Sequence, residues 1–551
     1  MSRLPANKIS LLALDEDLGA GNFLHQALAS NPQKDSDYMF LQEPVMGFHG
    51  KPYKSFSLQS MADLAREWSA FYHSMGVEPK DVVGIFLDDT VDYFIQYVAI
   101  TSIGAVPALI NSKLSCDIAG RYLDRIEAKL VLATTERLEK IKEVFSIIGF
   151  KPKAYDIAEV LQDEPMSQLP EVFPYCHHAK DPVLLTHTSG TTGIPKAVIA
   201  AHQAYLHGVK FRLANPIPHI ERYLSALPHS HNSGIAYLME ATIRGCPVQI
   251  QSDKSPASMA QSINEFQADF VVAFPKIFVE MVREEVDPSL LNSVFYWRST
   301  GDAAHERHVK EITRWGSHEE DGVIKKGSTY IDGLGSSEMG SSLFTVFHDS
   351  KKRNYDRCVG KPQGWVDAAV LDTYGNVLGA NTVGRLGIKS PSLTPGYWNN
   401  TNITEKFTCQ GYWITGDLVY RDTQGFFYHI DRITDAIQTT EGNIYSLLTE
   451  ELIMKRFDSI FDCTVYQDNK QDGKVCASIR VDLVAKQHDE EQLKSMLQDI
   501  NIWLKDNGKP QLHAISVTKP QTSYAPEGIT GKVLKRELRI DDEADLKVSH
   551  I

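Results

Sequence analysis

The sequence predicts an α/β fold: a large, multi-layered N-terminal domain with βα-rich subdomains and a small β-rich part, followed by a small α+β domain. Three observations lead there. Helix-like and strand-like pieces alternate through residues 57–110, the pattern of repeating βα units. The texture changes after Asp431-Arg432, and the 551 residues exceed one ordinary domain.

The elements follow in chain order. Residues 61–75 carry apolar side chains at helical spacing, Val82–Phe86 is a short apolar run, and residues 90–104 are helical again. Leu130–Ala133 is a buried-strand candidate, and Val183-Leu184-Leu185 reads as the end of another. Such repetition implies layers with largely parallel strands. Gly384–Lys389 and residues 426–430 read as strands near turns and form the β-rich part before residue 432. Beyond it, residues 450–457 read as a helix, 463–467 and 475–481 as strands, and 489–507 as a charged amphipathic helix. That is about the smallest size at which a domain stands alone.

Composition narrows the function. Hydrophobic content of 42% and charged content of 23% are those of a soluble globular protein. A formal charge of −14 argues against nucleic acid as a partner, because binding a phosphate backbone needs basic surface. Seven scattered cysteines suit a reducing compartment. Cys176-His177-His178 lacks a second cluster at ligand spacing and reads as a surface loop. Met1-Ser2-Arg3-Leu4-Pro5 leads into Asp15 and Glu16 rather than a long apolar core, so no signal peptide is read. Residues 98–110 are too short and too interrupted to span a bilayer. The expectation is a cytoplasmic protein without a transmembrane segment, with peripheral membrane contact left open. Oligomeric state is not legible.

The chemistry concentrates in Thr188-Ser189-Gly190-Thr191-Thr192-Gly193, followed three residues later by Lys196. Glycines let successive N–H groups converge on an anion, hydroxyls add donors, and lysine supplies a mobile point charge. A phosphate-cradling loop and a solvated linker both fit this composition, and the common nucleotide P-loop pattern does not.

This run resembles the signature loop of the adenylate-forming superfamily, which includes acyl-CoA synthetases, adenylation domains of peptide synthetases and beetle luciferases. At least five of its motifs occur in order over about residues 56–538. The Asp431-Arg432 pair and Ala108-Leu109-Ile110-Asn111-Ser112-Lys113-Leu114 look like the fatty-acid transport/very-long-chain acyl-CoA synthetase branch. The resemblance implies an N-terminal domain over 1–432 and a mobile C-terminal lid over 433–551, with a hinge at Thr434.

It also implies roles. Tyr330-Ile331-Asp332-Gly333-Leu334-Gly335-Ser336-Ser337-Glu338 is similar to the adenine and metal motif. Leu334 stands where the family has an aromatic residue and Ser337 where it has threonine, while Glu338 would hold Mg²⁺ through a hard oxygen. Gly301-Asp302-Ala303 would line the nucleotide pocket. Asp417 would accept hydrogen bonds from the ribose hydroxyls, with Arg432 beside the same ribose. Lys532, in Thr530-Gly531-Lys532, would stabilise charge during adenylation. His231, with Asn232 and Gly234, would line the acyl pocket. The aspartate with which peptide-synthetase domains pair an α-amino group has no counterpart here.

The expected activity is ATP-dependent formation of an acyl-AMP from a fatty or related carboxylic acid, with Mg²⁺, followed by transfer to the thiol of CoA. A phosphopantetheine-bearing acyl carrier protein is the alternative acceptor, and an amino-acid ligase a further one. A catalytically silent nucleotide-binding homologue is the non-enzyme alternative. Thr440-Glu441 stands where the family has a glycine pair, which bears on the thiol acceptor.

Overall fold

The apolar run Val82–Phe86 is buried along its whole length. It lies inside a six-stranded sheet, in the computed structural model that describes residues 4–187, 193–302, 304–351, 355–469, 474–484, 489–517, 535, 538 and 547–549. The strand order is Lys153–Asp156, Leu130–Ala133, Val82–Phe86, Val106–Leu109, Pro182–His187 and Ala197–Ala201. All are parallel except the last, which runs antiparallel to Pro182–His187. Side chains alternate between two cores: Val83, Ile85, Leu130 and Leu132 enter one, Val82, Phe86, Val131 and Ala133 the other. A parallel sheet buried on both faces explains why these strands read as unbroken apolar runs.

The chain divides into two units, one comprising residues 1–301, 312–343 and 390–406, the other 302–311, 344–389 and 407–551. The first holds the six-stranded sheet and a second run of parallel strands. These are Thr329–Asp332, Tyr296–Ser299, Phe270–Ala273, Tyr223–Ser225, Val248–Ile250 and Asp37–Met46. Pro52–Ser57 closes that edge antiparallel. The expected helices run Leu58–Ser74 and Asp92–Ser102, the former opened by a reciprocal Ser57–Ser60 cap. Among the described residues, no helix is long and apolar enough to cross a membrane.

The second unit carries an antiparallel sheet ordered Phe344–His348, Cys358–Pro362, Phe427–Arg432, Tyr412–Arg421, Gly384–Lys389, Asp367–Leu371. It also contains the hairpin Ile437–Thr439/Gly442–Ile444 and a sheet of Ile460–Asn469, Val475–Leu483, Ala514–Val517 and Lys547–Ser549. Helix Glu490–Asp506 begins at Asp489, whose carboxylate takes the Gln492 N–H while Gln492 returns a bond to the Asp489 N–H. The expected α/β class is borne out. All seven cysteines are free thiols.

His305 fastens one segment of this unit to another. Its Nδ1 lies 2.9 Å from Glu451 Oε2, while Glu451 Oε1 accepts the Glu306 N–H at 3.0 Å. Burial works against both charges, yet the pair wins: His305 is pushed above its ordinary 6.5 and Glu451 down to about 2. A raised imidazole value stabilises the fold below 6.5, and that contribution fades as pH climbs through the raised value. The Glu451 contribution is present above 4.5 and fades as pH falls through about 2. The stability difference between wild type and His305→Gln is therefore expected to be largest between those limits. It should shrink from near neutral pH upward, read as urea midpoints. A difference that holds constant across alkaline pH would contradict the assignment.

Candidate functional site

Lys196 follows the hydroxyl-rich run and immediately precedes the strand Ala197–Ala201. Thr188, Ser189, Gly190, Thr191 and Thr192 lie outside the described residues. Gly193 has φ +80°, a conformation that glycine adopts without strain. The Lys196 ammonium stands 5.2 Å from the centre of the Tyr397 ring. Tyr397 donates its hydroxyl to Glu338 Oε1 at 2.8 Å. One tyrosine thus joins the cation of the hydroxyl-rich segment to the expected metal carboxylate. Burial lowers the Lys196 value, and Glu338 opposes that.

The loop that carries Tyr397 is fastened at both ends. Trp398 N–H donates to Ala197 O at 2.8 Å, and Ile199 N–H donates to Gly396 O at 3.1 Å. On the other side, Thr394 N–H donates to Glu338 O at 2.8 Å, and Ser392 Oγ donates to Met339 O at 2.7 Å. Tyr397 was missed from sequence. Its only signal was Pro395-Gly396-Tyr397-Trp398, a turn run with two aromatic residues.

Glu338 sits in a turn after the strand Thr329–Asp332. The Asp332 carboxylate takes the Ser299 hydroxyl and the Gly333 N–H, both at 2.8 Å, and so ties two neighbouring strands together. Leu334 O accepts from Leu343 N–H at 2.9 Å, and Gly335 bridges Ser342. A Cβ on Gly335 would come within 2.6 Å of the Ser341 carbonyl, so glycine is required there. Ser336 Oγ accepts from Met339 N–H at 3.3 Å, and Ser337 O from Gly340 N–H at 3.2 Å. Gly301 has φ +86° and lies against Phe274. Asp302 follows it in the other unit, and Ala303 lies outside the described residues.

His231 caps the helix Asn232–Arg244, its Nδ1 accepting from Ser233 N–H at 3.3 Å. Burial and nearby His187 push it down to about 4, so the ring is neutral at pH 7. With Nδ1 accepting, the proton sits on Nε2. Phe274 stands edge-on to this ring at 5.2 Å. Asn232 is buried, and its carbonyl accepts the Tyr205 hydroxyl. Gly234 presses against the Pro228 carbonyl, which a Cβ would meet at 2.5 Å. The loop before the helix is held by His229, whose N–H donates to Asp89 Oδ1 at 2.7 Å, while Lys254 donates to Asp89 Oδ2 at 2.6 Å.

In the second unit, Asp417 and Arg432 are paired residues on neighbouring strands. Arg432 Nε is 3.2 Å from Asp417 Oδ1, and His429 Nε2 lies 3.3 Å from the same oxygen. Burial would raise the Asp417 value, but Arg432 and His429 hold it far below the usual carboxylate range. The two residues expected at the ribose are therefore an ion pair. Asp431, beside Arg432, faces elsewhere. It is fully buried and accepts from the N–H and hydroxyl of Ser446, at the start of helix Ser446–Arg456. Thr440-Glu441 forms the turn of the small hairpin, where Thr439 Oγ1 donates to Gly442 O at 2.8 Å. Lys532 lies outside the described residues.

Cys176 is exposed, whereas His177 stacks on His202 at 4.9 Å and contacts the Thr101 carbonyl at 2.9 Å. Among the described residues, no group of three His, Cys, Asp or Glu side chains gathers at metal-ligand distance.

Residues 30–398 match the model of the family described as AMP-binding enzyme. The chain belongs to that family. Over 547 residues this AMP-binding enzyme is 33% identical to a 3-aminoavenalumate diazotase of Streptomyces sp., covering 95% of this chain and 96% of the other. It is 24% identical to 4-coumarate–CoA ligase-like 8 of Arabidopsis thaliana, over 75% and 78% of the two chains. Its fold is similar to that of the O-succinylbenzoate coenzyme A synthetase of Bacillus subtilis in complex with ATP and a magnesium ion. The TM-score there is 0.77 at 19% identity, covering 94% and 99% of the chains. The expected adenylate-forming resemblance and the expected enzyme class, an AMP-forming ligase, are borne out.

Proposed function

We propose that this AMP-binding enzyme joins ATP to an aromatic carboxylic acid, releasing pyrophosphate, and passes the acyl group of the adenylate to the thiol of CoA. The observation that carries the reading is Tyr397 holding Glu338 beside Lys196. The anionic carboxylate and the anionic α-phosphate meet only where charge is neutralised. Lys196 supplies a cation for the polyphosphate, and the hydroxyl-rich run supplies donors. Glu338 suits Mg²⁺, which commonly takes one or two protein carboxylates and fills its remaining positions with phosphate and water. Bound there, the ion would neutralise charge on the polyphosphate. The Bacillus subtilis synthetase, named as a complex with ATP and magnesium, supports this choice.

The remaining residues take supporting roles. Asp417, kept ionised by Arg432, accepts from the ribose hydroxyls, and Lys532 stabilises charge on the α-phosphate. Neutral His231 offers its Nε2–H along the acid's binding face, with Phe274 against it. The relatives named for 4-coumarate and O-succinylbenzoate favour an aromatic acid over the fatty acid first expected. CoA is preferred to a carrier protein for the same reason.

The division at residue 432 also belongs to this proposal. Thr434 is exposed in a turn closed by Ala436 N–H on Arg432 O at 3.1 Å. Proline at 434 fixes φ and restricts Ile433 before it. Thr434→Pro is expected to keep pyrophosphate release and to cut thioester output, each half-reaction measured separately. Thioester formation at the wild-type rate in a folded variant would place the hinge elsewhere.

A second reading has its own support: the diazotase matches nearly end to end, and Thr440-Glu441 stands where a glycine pair would serve a thiol. In that reading nitrite replaces the carboxylate. Its oxygen attacks the α-phosphate, pyrophosphate leaves, and an aromatic amine attacks the nitrogen of the nitrosyl adenylate. AMP and a proton from the amine depart, and the N-nitroso amine takes up a proton and loses water to give the diazonium ion. Exchange of labelled pyrophosphate into ATP separates the two. The ligase reading predicts exchange that depends on an aromatic acid, and CoA thioester when CoA is added. Exchange that requires nitrite and ignores every acid would overturn it.

A further inference from the structure

Arg298 lies on the strand Tyr296–Ser299 and is 6% exposed. Its Nε donates to Tyr237 Oη at 2.8 Å, and Nη2 donates to Ser342 Oγ at 2.7 Å. Among the described residues, its buried Nη1 has no hydrogen-bond partner. Both partners are neutral hydroxyls, and among the described residues no carboxylate pairs with this guanidinium. Asp332 does not fill that place. Its carboxylate takes the hydroxyl of Ser299, and successive side chains of a strand point to opposite faces.

The buried carboxylate on the same helix as Tyr237 is already committed. Glu240 receives Arg212 Nε at 2.6 Å, Tyr223 Oη at 2.8 Å and Arg244 Nη1 at 3.4 Å. Arg212 also sits 5.0 Å over the ring of Tyr237, the residue that Arg298 holds by its hydroxyl. Three guanidiniums thus stand around Tyr237 and Glu240 with one carboxylate between them. A buried, always-charged guanidinium with an idle donor is an arrangement that an anion completes.

The position suits a substrate. Tyr237 belongs to the helix that opens with His231, Asn232 and Gly234, and Ser342 bridges Gly335. Arg298 is therefore hydrogen-bonded both to the acid-binding helix and to the segment after the metal motif.

We propose that Arg298 binds an anionic oxygen group of the organic substrate, a carboxylate remote from the group that reacts. The inference rests on the proposed function only in taking the helix after His231 as the substrate's binding face. As a ligase, the enzyme then takes an aromatic diacid and activates one of its carboxylates. With an amine as the acceptor, the carboxylate on Arg298 is the spectator group of an aminoaryl acid.

The test compares matched pairs with the full-length protein: benzene-1,3- and 1,4-dicarboxylate against benzoate, and 3-aminobenzoate against aniline with nitrite. Wild type is expected to prefer the member with the extra carboxylate in kcat/KM. Arg298→Met is expected to lower that preference about 100-fold, with Arg298→Lys between the two, because a site built for a polar group discriminates strongly against its loss. A variant that slows both members of a pair alike would overturn the proposal, as would a wild type that prefers the unsubstituted member. If no compound turns over, the functional reading has failed instead. The subsite is then read by thermal shift with the same compounds. The diacid or aminobenzoate, and not its partner, must stabilise wild type, and Arg298→Met or Arg298→Lys must weaken that. Equal stabilisation by both members, or by neither, also overturns it.

Discussion

Glu338→Gln is expected to lower adenylate formation by about 10²- to 10³-fold, the usual consequence of losing one preorganised charged group at a reacting centre. The substitution isolates charge from shape. An amide oxygen still accepts the Tyr397 hydroxyl that now reaches Glu338 Oε1 at 2.8 Å, so the loop of residues 394–398 keeps its anchor. What disappears is the anion, and a neutral amide is the poorer ligand for a hard cation. Pyrophosphate release measured against Mg²⁺ concentration should show a raised metal requirement as well as a lower ceiling. An unchanged metal dependence would remove Glu338 from that role and leave it as a partner of Tyr397 alone.

Lys535→Met is expected to destabilise the second unit by about 3–5 kcal/mol, the range for removing one partner of a buried ion pair. Lys535 Nζ donates to Glu450 Oε1 at 2.6 Å and to Ser446 Oγ at 2.7 Å, with the two charged side chains 11% and 4% exposed. Burial already raises the Glu450 value, with Lys535 pulling it down. Without the lysine, the Val465 N–H is the only donor left on that carboxylate oxygen among the described residues. The loss should shrink toward acid pH, where the stranded carboxylate takes a proton. It should also be partly restored by Glu450→Gln in the same chain. Denaturant unfolding of the single and double variants measures both. Equal losses in single and double variants would show that Lys535 acts through packing rather than charge.

The difference between what was legible and what was not follows sequence distance. Val82–Phe86, Leu130–Ala133 and Gly384–Lys389 announce themselves because burial on a sheet is written in neighbouring residues. Helix Glu490–Asp506 does so through the charged amphipathic pattern of residues 489–507. Asp37–Met46 did not, because Gln42, Glu43 and Pro44 interrupt its apolar pattern. The antiparallel strand Ala197–Ala201 was hidden for a different reason: its direction depends on the partner it meets, not on its own side chains.

The site divides along the same line. Lys196, Glu338 and Asp417 stand in local motifs, so a resemblance could find them. Tyr397 meets Glu338 across 59 positions, Arg298 meets Ser342 across 44, and Lys535 meets Glu450 across 85. No local pattern marks a tyrosine that joins the Lys196 ammonium to the Glu338 carboxylate. The Asp431-Arg432 pair shows the opposite case. It looked like a branch signature, and its aspartate turns out to hold the start of the next helix through Ser446.

The central claim is that a substrate carboxylate oxygen attacks the α-phosphate of ATP. Its most direct test is to supply an aromatic acid that supports turnover, labelled with ¹⁸O in both carboxylate oxygens, and to recover the AMP after transfer to CoA. The account predicts one ¹⁸O in each AMP, because the oxygen that attacks phosphorus stays with it when the thiol displaces the nucleotide. AMP free of label, with the label kept in the acid, would contradict the account and leave another oxyanion as the attacking group.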